Sequence, residues 1–283
     1  MSWGGCAPGS GQFSRERSRQ HSLGRLRARI RPFMLRRTKR EVVKELPEKV
    51  EQITRLELTP AHRRRYDQHL TRERTRVLGM LEDMDRNRVA IFRALTKLRQ
   101  LALDPRLVDT DLPPIPSAKI TALLGQIREL AEEGHRALVF SSFTGFLKLV
   151  RGALEAEGIE YVYLDGRTRD RPARIARFRE GGAPVFLISL KAGGFGLTLT
   201  EADYVFVLDP WWNPAAENQA VDRAHRIGQT RAVNVYRMVS ADTIEEKVVA
   251  LQQRKRDLFA SVVDTGEFRS AAITAADIRG LLE

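Results

Sequence analysis

Between residues 117 and 263, short apolar runs alternate with longer amphipathic segments, and this alternation limits the possible folds more than any other feature. The apolar runs have the length of buried strands, and the predicted strands are 137–140, 161–164, 185–188, 204–208 and 233–239. The predicted helices are 117–133, 145–157, 172–180, 214–226 and 243–263. The pattern predicts an α/β fold whose mainly parallel sheet has helices on both faces.

The sequence upstream of this region has a different character. Residues 60–103 have helical periodicity, and Thr59 precedes a proline at the first helical position. The segment 109–116 is rich in Pro and Asp and marks a boundary. The predicted organisation is a disordered basic arm at 1–22, a helical extension or linker at 23–110, the α/β domain at 117–263 and a C-terminal tail at 264–283.

The positive charge is concentrated at the start of the chain. The chain has 48 Lys and Arg against 36 Asp and Glu, a net charge of +12. Residues 1–40 hold 11 of the basic residues and one acid, Glu16, which is a net charge of +10. The rest is close to neutral, with 37 basic and 35 acidic residues. Such an arm suits a polyanion such as nucleic acid, and a solvated tail is the alternative.

Composition excludes several classes of protein. No apolar run approaches the roughly 18 residues of a membrane helix, and the first 20 residues lack the apolar core of a secretory signal. A single cysteine, Cys6, excludes a disulfide framework and a cysteine-built zinc site. The sequence therefore predicts a cytoplasmic protein, associated with the nucleoid if it is bacterial.

The predicted helix 214–226 carries side chains suited to phosphate. Gln219, Arg223 and Arg226 have the spacing i, i+4, i+7, which places them on one helical face. Guanidinium groups match phosphate oxygens and keep their charge at any working pH. The alternative is a solvated face on which Glu217 and Asp222 pair with the arginines.

Loops that follow the strands are the second candidate site, because ligands of parallel sheets bind at the carboxyl ends of strands. The loop 189–200 contains closely spaced glycines and Lys191, so its backbone N–H groups can approach a phosphate. The loops 141–144 and 165–168 offer small hydroxyls, a glycine and an arginine, which suit a sugar–phosphate backbone. Ordinary turns between strand and helix are the alternative for all three loops.

Several segments together resemble one family. Residues 219–229 (QAVDRAHRIGQ) resemble motif VI of superfamily 2 helicase-like ATPases, in the form seen in the Swi/Snf-type family. Other blocks follow in the family's order: PFMLRRTK at 32–39, ELPEK at 45–49, ALVFSSFT at 137–144, YLDGRT at 163–168, LISLKAGGFGLTLT at 187–200 and DPWWNPAAE at 209–217. The resemblance covers about residues 23–263.

The resemblance implies a RecA-like (P-loop NTPase-type) domain that forms the C-terminal half of an ATPase translocating on double-stranded DNA. The catalytic residues it implies are Arg223, Arg226 and Gln219, and the ATP-binding residues are Gly194, Gly196 and Thr198. The implied nucleic-acid contacts are Ser141, Ser142, Thr144, Gly166, Arg167, Ser189, Lys191 and Trp212. The chain departs from the family at Thr198, where Asn is usual, and at Ser142, where Gln is common. Core packing is the alternative for Trp212.

The chain contains no Gly-Lys dipeptide and no Asp-Glu dipeptide, so it lacks a phosphate-binding P-loop and the acidic box of a helicase. The family carries both in a first RecA-like domain, which is also where the Mg²⁺ ligands are expected. We therefore expect ATP to bind between this chain and such a domain, in cis or in trans. Double-stranded DNA is the expected partner, and RNA polymerase or another DNA-bound protein is the expected target of remodelling.

Two further hypotheses remain open at this point. The chain could be a nucleic-acid-binding module without catalysis, or a remnant that folds and engages nothing. The isolated chain is expected not to hydrolyse ATP. No His or Cys lies at metal-ligand spacing from His225, so no metal site is predicted.

Overall fold

A six-stranded sheet in which all strand pairs are parallel lies at the centre of the structure. The computed structural model describes residues 46–111, 115–192, 198–211, 214–265 and 273–283, so the predicted arm 1–22 lies outside the described residues. The strands are β1 (Lys49–Leu56), β2 (Ala137–Ser141), β3 (Tyr161–Leu164), β4 (Val185–Ser189), β5 (Tyr204–Val207) and β6 (Val233–Ser240). Their order is β1-β6-β5-β2-β4-β3, which confirms the predicted parallel α/β fold.

Helices cover both faces of the sheet. They are α1 (Pro60–Leu78), α2 (Met84–Leu103), α3 (Ala118–Glu132), α4 (Thr144–Ala156), α5 (Arg171–Arg179), α6 (Pro214–Val221), α7 (Ile244–Thr265) and α8 (Ala275–Leu282). Because strand side chains alternate between faces, Phe140 of β2 packs in one apolar layer with Phe178 of α5. Its neighbour Val139 packs in the opposite layer with Leu147 of α4. None of the described helices is long and apolar enough to cross a membrane.

Strand β1 lies within the predicted helical extension and was not predicted from the sequence. It pairs with β6 in register from Lys49–Val233 to Leu56–Ser240, which places residues 49–56 at one edge of the sheet. Half of the accessible surface of Val50 and Ile53 remains exposed. A partly exposed edge strand has no continuous apolar run, which explains why its sequence gives a weak strand signal.

Helices α1, α2, α7 and α8 share a third apolar cluster, which joins the segment before the α/β region to the end of the chain. Tyr66, Leu95, Val248 and Leu281 are buried in it. The Tyr66 hydroxyl accepts a hydrogen bond of 2.7 Å from the Ile244 N–H at the start of α7. No helix or strand is predicted from the sequence for residues 264–283, whereas α8 occupies 275–282 there and begins with a capping box formed by Thr274 and Asp277.

The predicted helix 214–226 is too long. Helix α6 ends at Val221, and residues 222–228 form turns. The Leu199 N–H donates to the Arg223 carbonyl at 3.0 Å, and the Gln229 side-chain amide donates to the Ala224 carbonyl at 3.2 Å. These contacts occupy carbonyls that would accept from the next helical turn, and the helix ends five residues earlier than predicted.

Candidate nucleotide and nucleic-acid site

Polar residues meet at one end of the sheet, where its parallel strands have their carboxyl ends. Ser141 and Ser189 are the last residues of β2 and β4, and Asp165 and Asp209 follow β3 and β5 closely. Leu190 N–H donates to the Ser141 carbonyl at 2.9 Å, which joins the first two of these loops. The predicted ligand loops therefore lie at a common edge, as expected for a parallel sheet.

Asp209 organises the loop that follows β2. Its carboxylate accepts from the Ser141 hydroxyl at 2.5 Å and from the Ser142 N–H at 3.0 Å, and the Ser142 hydroxyl also contacts it. Ser141 and Asp209 are fully buried. The hydroxyls of these two predicted nucleic-acid contacts thus bond within the protein, whereas Thr144 at the start of α4 is exposed.

Arg99 of α2 is buried against the same carboxylate and was missed by sequence reasoning. Its guanidinium donates to Asp209 at 3.1 Å, to the Pro210 carbonyl at 2.7 Å and to the Ser142 hydroxyl at 3.3 Å. The guanidinium carbon lies 5.0 Å from the ring centres of both Phe143 and Trp211. Burial lowers the pKa of Arg99, and Asp209 opposes this shift. The sequence signal that could have identified Arg99 is its position on the apolar face of a helix, because an arginine is rarely buried unless it is paired.

The loop after β3 is held by its own hydrogen bonds. Asp165 accepts from the Arg167 N–H at 2.8 Å, and its own N–H donates to the Thr168 hydroxyl at 3.0 Å. Burial alone would raise the pKa of Asp165, but hydrogen bonds from Arg167, Tyr163 and Thr168 lower it. Gly166 and Arg167 are left exposed at the tip of this rigid turn.

The glycine-rich loop is described only in part. Ser189 is buried and accepts from the Ala192 N–H at 3.2 Å, while Lys191 is exposed. Gly194, Gly196 and Trp212, which the sequence analysis assigned to ATP or nucleic acid, lie outside the described residues.

The prediction that Gln219, Arg223 and Arg226 share one helical face is wrong, because α6 ends at Val221. Arg223 and Arg226 nevertheless lie beside Thr198. Arg226 Nη1 donates to the Thr198 hydroxyl at 3.3 Å, and the Arg223 carbonyl accepts from the residue after Thr198. Gln219 is exposed on α6, Arg226 is exposed in the following turns, and Arg223 is only 6% exposed. Burial lowers the pKa of Arg223, and the charge of Arg226 lowers it further.

A further arginine, Arg179, lies beside this group and was not singled out in the sequence. At the end of α5, its Nη2 donates to the Thr198 carbonyl at 2.7 Å. The carbonyl and hydroxyl oxygens of Thr198 therefore accept hydrogen bonds from two arginines, Arg179 at the end of α5 and Arg226 in the turns after α6. Such a concentration of guanidinium groups suits a multiply charged anion.

The Glu217 carboxylate bonds to other donors and not to these arginines. Its carboxylate accepts from the Trp211 N–H at 2.5 Å, from the Gln252 amide at 2.9 Å and from Arg237 at 3.3 Å. Burial raises the pKa of Glu217, and these donors oppose the shift. The structure therefore contradicts the alternative in which Glu217 pairs with Arg223 or Arg226 on a solvated helix face.

Gly228 closes the turns after α6 with a φ of +102°, a conformation that side-chain-bearing residues rarely adopt. We expect Gly228→Ala to destabilise the protein by about 1–2 kcal/mol. The matched control is Gly152→Ala, because Gly152 lies within α4 and an added Cβ there meets nothing within 4 Å. The control should stabilise the protein by up to about 1 kcal/mol. Urea unfolding measures both, and equal effects would contradict the prediction.

Among the residues that the structure describes, no group of three or more His, Cys, Asp and Glu side chains could hold a metal ion. His225 Nε2 lies 2.8 Å from the Pro47 carbonyl oxygen, so a backbone contact accounts for this ring nitrogen.

Comparison with known families gives two matches. Residues 118–228 match the helicase conserved C-terminal domain, and residues 10–107 match the SNF2-related domain.

Curated relatives are much longer than this chain. An uncharacterised ATP-dependent helicase of Mycoplasma pneumoniae is 39% identical over 265 residues, which cover 92% of this chain and 25% of the relative. The chromatin structure-remodeling complex subunit snf21 of Schizosaccharomyces pombe is 34% identical, with 96% of this chain and 24% of the relative covered. The chain thus spans about a quarter of the length of these relatives.

Solved structures similar to this chain include SWI2/SNF2 ATPases. The Sulfolobus solfataricus SWI2/SNF2 ATPase core in complex with double-stranded DNA is 30% identical, with a TM-score of 0.66, covering 91% of this chain and 55% of that chain. The C-terminal domain of the same archaeal ATPase is 26% identical, with a TM-score of 0.62, covering 83% of this chain and 98% of that domain.

Proposed function

Because the chain belongs to the Swi/Snf-type superfamily 2 helicase-like ATPases and corresponds to their C-terminal, second RecA-like half, we propose that it completes a DNA-dependent ATPase. A first RecA-like domain, in cis or in trans, would supply the P-loop. The chain would supply arginines to the nucleotide and contacts to the backbone of double-stranded DNA. Hydrolysis would close and open the two domains and step this one along DNA.

The contact of Arg226 with Thr198 is the observation that carries this proposal. It joins the turn after α6 to the end of the glycine-rich loop, two segments 28 residues apart that the family resemblance assigns to ATP. Arg223 lies nearly buried beside Arg226, although the two positive charges repel. An anion bound between or beside the two guanidinium groups would offset this repulsion.

In the proposed mechanism, Arg223 and Arg226 stabilise the charge that develops on the γ-phosphate in the transition state. Gln219 is exposed on α6 and would orient the phosphate or the attacking water. Gly194 and Gly196 would let the backbone approach the phosphates closely. Mg²⁺ would neutralise phosphate charge, and because the described residues offer no suitable cluster, we assign it no ligand here.

The DNA contacts in this proposal come from the exposed members of the predicted set. Thr144, Arg167 and Lys191 are exposed at the carboxyl end of the sheet, and the backbone at Gly166 is open. Ser141, Ser142 and Ser189 would act mainly by shaping their loops, because their side chains bond within the protein. Trp212 stays a proposed contact. Such contacts read the phosphate backbone and carry no base specificity.

The proposed target is a protein bound to DNA, such as RNA polymerase, which translocation would displace or remodel. We also propose a cytoplasmic location, next to the nucleoid in a bacterium, because the chain has a single cysteine and its expected partner is DNA.

The test is ATP hydrolysis with and without duplex DNA, by this chain alone and mixed with a first RecA-like domain of a Swi/Snf-type protein. We expect turnover only in the mixture and only when DNA is present. Robust turnover by the chain alone would contradict the proposal. Silence in the mixture, combined with salt-dependent DNA binding by the chain, would instead support a binding module without catalysis.

A further inference from the structure

A groove lies along the outer edge of β3, away from the arginines of the nucleotide site. Strand β3 is the last strand in the sheet order and pairs only with β4, so no described strand covers its outer edge. A cavity of about 570 Å³ opens there and is bordered by Tyr161 and Tyr163 of β3. This volume lies within the usual range for ligand sites, about 300–1,000 Å³.

One helix from each face of the sheet forms a wall of this edge groove. Arg151 belongs to α4, which packs on the sheet face that holds Val139. Arg174 and Arg177 belong to α5, which packs on the opposite face through Phe178. The groove therefore lies beside β3, with Tyr161 and Tyr163 along the strand and arginines from helices on both sheet faces.

Four arginines line the groove together with two carboxylates, Glu160 and Asp170, so the lining is positive in sum. Arg177 pairs with Glu160 at 2.6 Å, and Arg151 lies 3.7 Å from Glu155. Arg174 and a fourth lining arginine, Arg169, are exposed, and their guanidinium groups make no ion pair or hydrogen bond with any described residue. An anionic ligand would therefore meet at least two guanidinium groups that are free to turn toward it.

The geometry points to an extended acidic segment of a partner protein as the occupant, added as a new strand on the outer edge of β3. The outward N–H and C=O groups of an edge strand are a template for such pairing. Side chains of an added strand alternate between the two sheet faces, so Asp or Glu at successive positions would face Arg151 on one side and Arg174 on the other. Four residues of β3 give about 13 Å of pairing.

Other occupants fit the groove less well. Duplex DNA presents phosphates but no extended backbone of alternating N–H and C=O groups that could pair along a strand edge. The chain's own residues 1–40 contain only one acidic residue and carry the same sign of charge as the walls. In another alternative, the arginines only protect the strand edge from aggregation, and the groove would then bind no peptide.

The experiment uses the full chain and fluorescence anisotropy of a labelled peptide, Glu-Asp-Val-Glu-Asp-Val-Glu-Thr. A control peptide has proline in place of both valines, which keeps the charge but removes amide donors and strand geometry. Arg174→Glu is the test variant, and Arg86→Glu, an exposed arginine of α2 outside the groove, is its charge-matched control. We expect Arg174→Glu to weaken peptide binding at least about tenfold, whereas Arg86→Glu should bind the peptide with the same affinity as the parent chain.

Backbone pairing has its own readout. Saturating peptide should slow hydrogen exchange at the amides of residues 161–164, and the proline peptide should bind weakly and leave them unchanged. Equal binding of both peptides, equal loss in both variants, or displacement of the peptide by a short DNA duplex would each overturn the inference. This inference goes beyond the ATPase proposal, and since the assay needs neither ATP nor a first domain, it succeeds or fails independently.

Discussion

Arg226→Ala should abolish the DNA-stimulated ATPase activity of the chain mixed with a first RecA-like domain, lowering turnover about 10³-fold or more. The proposed role of Arg226 is to stabilise charge in the transition state, and alanine offers neither charge nor hydrogen-bond donors. The side chain is exposed and donates a hydrogen bond to the Thr198 hydroxyl, so the fold should survive the change. Turnover at saturating ATP and DNA measures the effect.

Arg231→Ala is the matched control for this experiment. Arg231 is exposed, and its ion pair is with Asp203 on the side of the sheet where β5 begins. We expect its turnover to equal that of the parent chain within about twofold, because a surface ion pair contributes only about 0–1 kcal/mol. Arg226→Lys should recover only part of the loss, since an ammonium lacks the planar fork. Full activity of Arg226→Ala would remove the basis for its catalytic role.

Lys119→Met should destabilise the fold by about 3–5 kcal/mol, because it removes one partner of a buried ion pair. The Lys119 ammonium donates to Glu245 at 2.5 Å and to the carbonyls of Leu208 and Met238 at 2.5 and 2.9 Å, and both charged side chains are buried. Burial lowers the pKa of Lys119 and raises that of Glu245, while their attraction opposes both shifts. Urea unfolding at neutral pH measures the loss.

The double variant Lys119→Met with Glu245→Leu separates the ion pair from packing. It should recover most of the lost stability, since removing both charges leaves no unpaired ion in the core. Lys148→Met, at an exposed position of α4, is the control and should change stability by less than about 0.5 kcal/mol. A loss below about 1 kcal/mol for Lys119→Met would contradict a buried ion pair at this position.

The single variant should also show a stronger pH dependence than the parent chain. Burial already raises the pKa of Glu245, and without the attraction of Lys119 it rises further, so the folded state takes up a proton over a wider pH range. Stability then falls as pH rises through this range, and the deficit should be smaller at about pH 5 than at about pH 8. The double variant lacks the carboxylate and should show no such difference from the parent chain.

Most of the central fold follows from local sequence. Strands β2 to β6 were predicted within a residue or so, because their apolar runs are largely buried and are bounded by polar residues or glycine. Strand β1 escaped prediction because an edge strand with exposed side chains lacks that signal. The helical spacing also extended the predicted helix to residue 226, because periodicity carries no information about the hydrogen bond from the distant Leu199 N–H to the Arg223 carbonyl.

The sequence alone determined the fold class, the place of the polar loops that follow the strands and the family resemblance, because these depend on residue order and local periodicity. Tertiary structure alone decided which polar groups meet. Thr198 reaches Arg226 across 28 residues, and Arg99 reaches Asp209 across 110. It also decided that the Ser141 hydroxyl bonds to Asp209 inside the protein. Such pairings depend on how parallel strands bring distant loops to one edge, and no local pattern in the sequence encodes that distance.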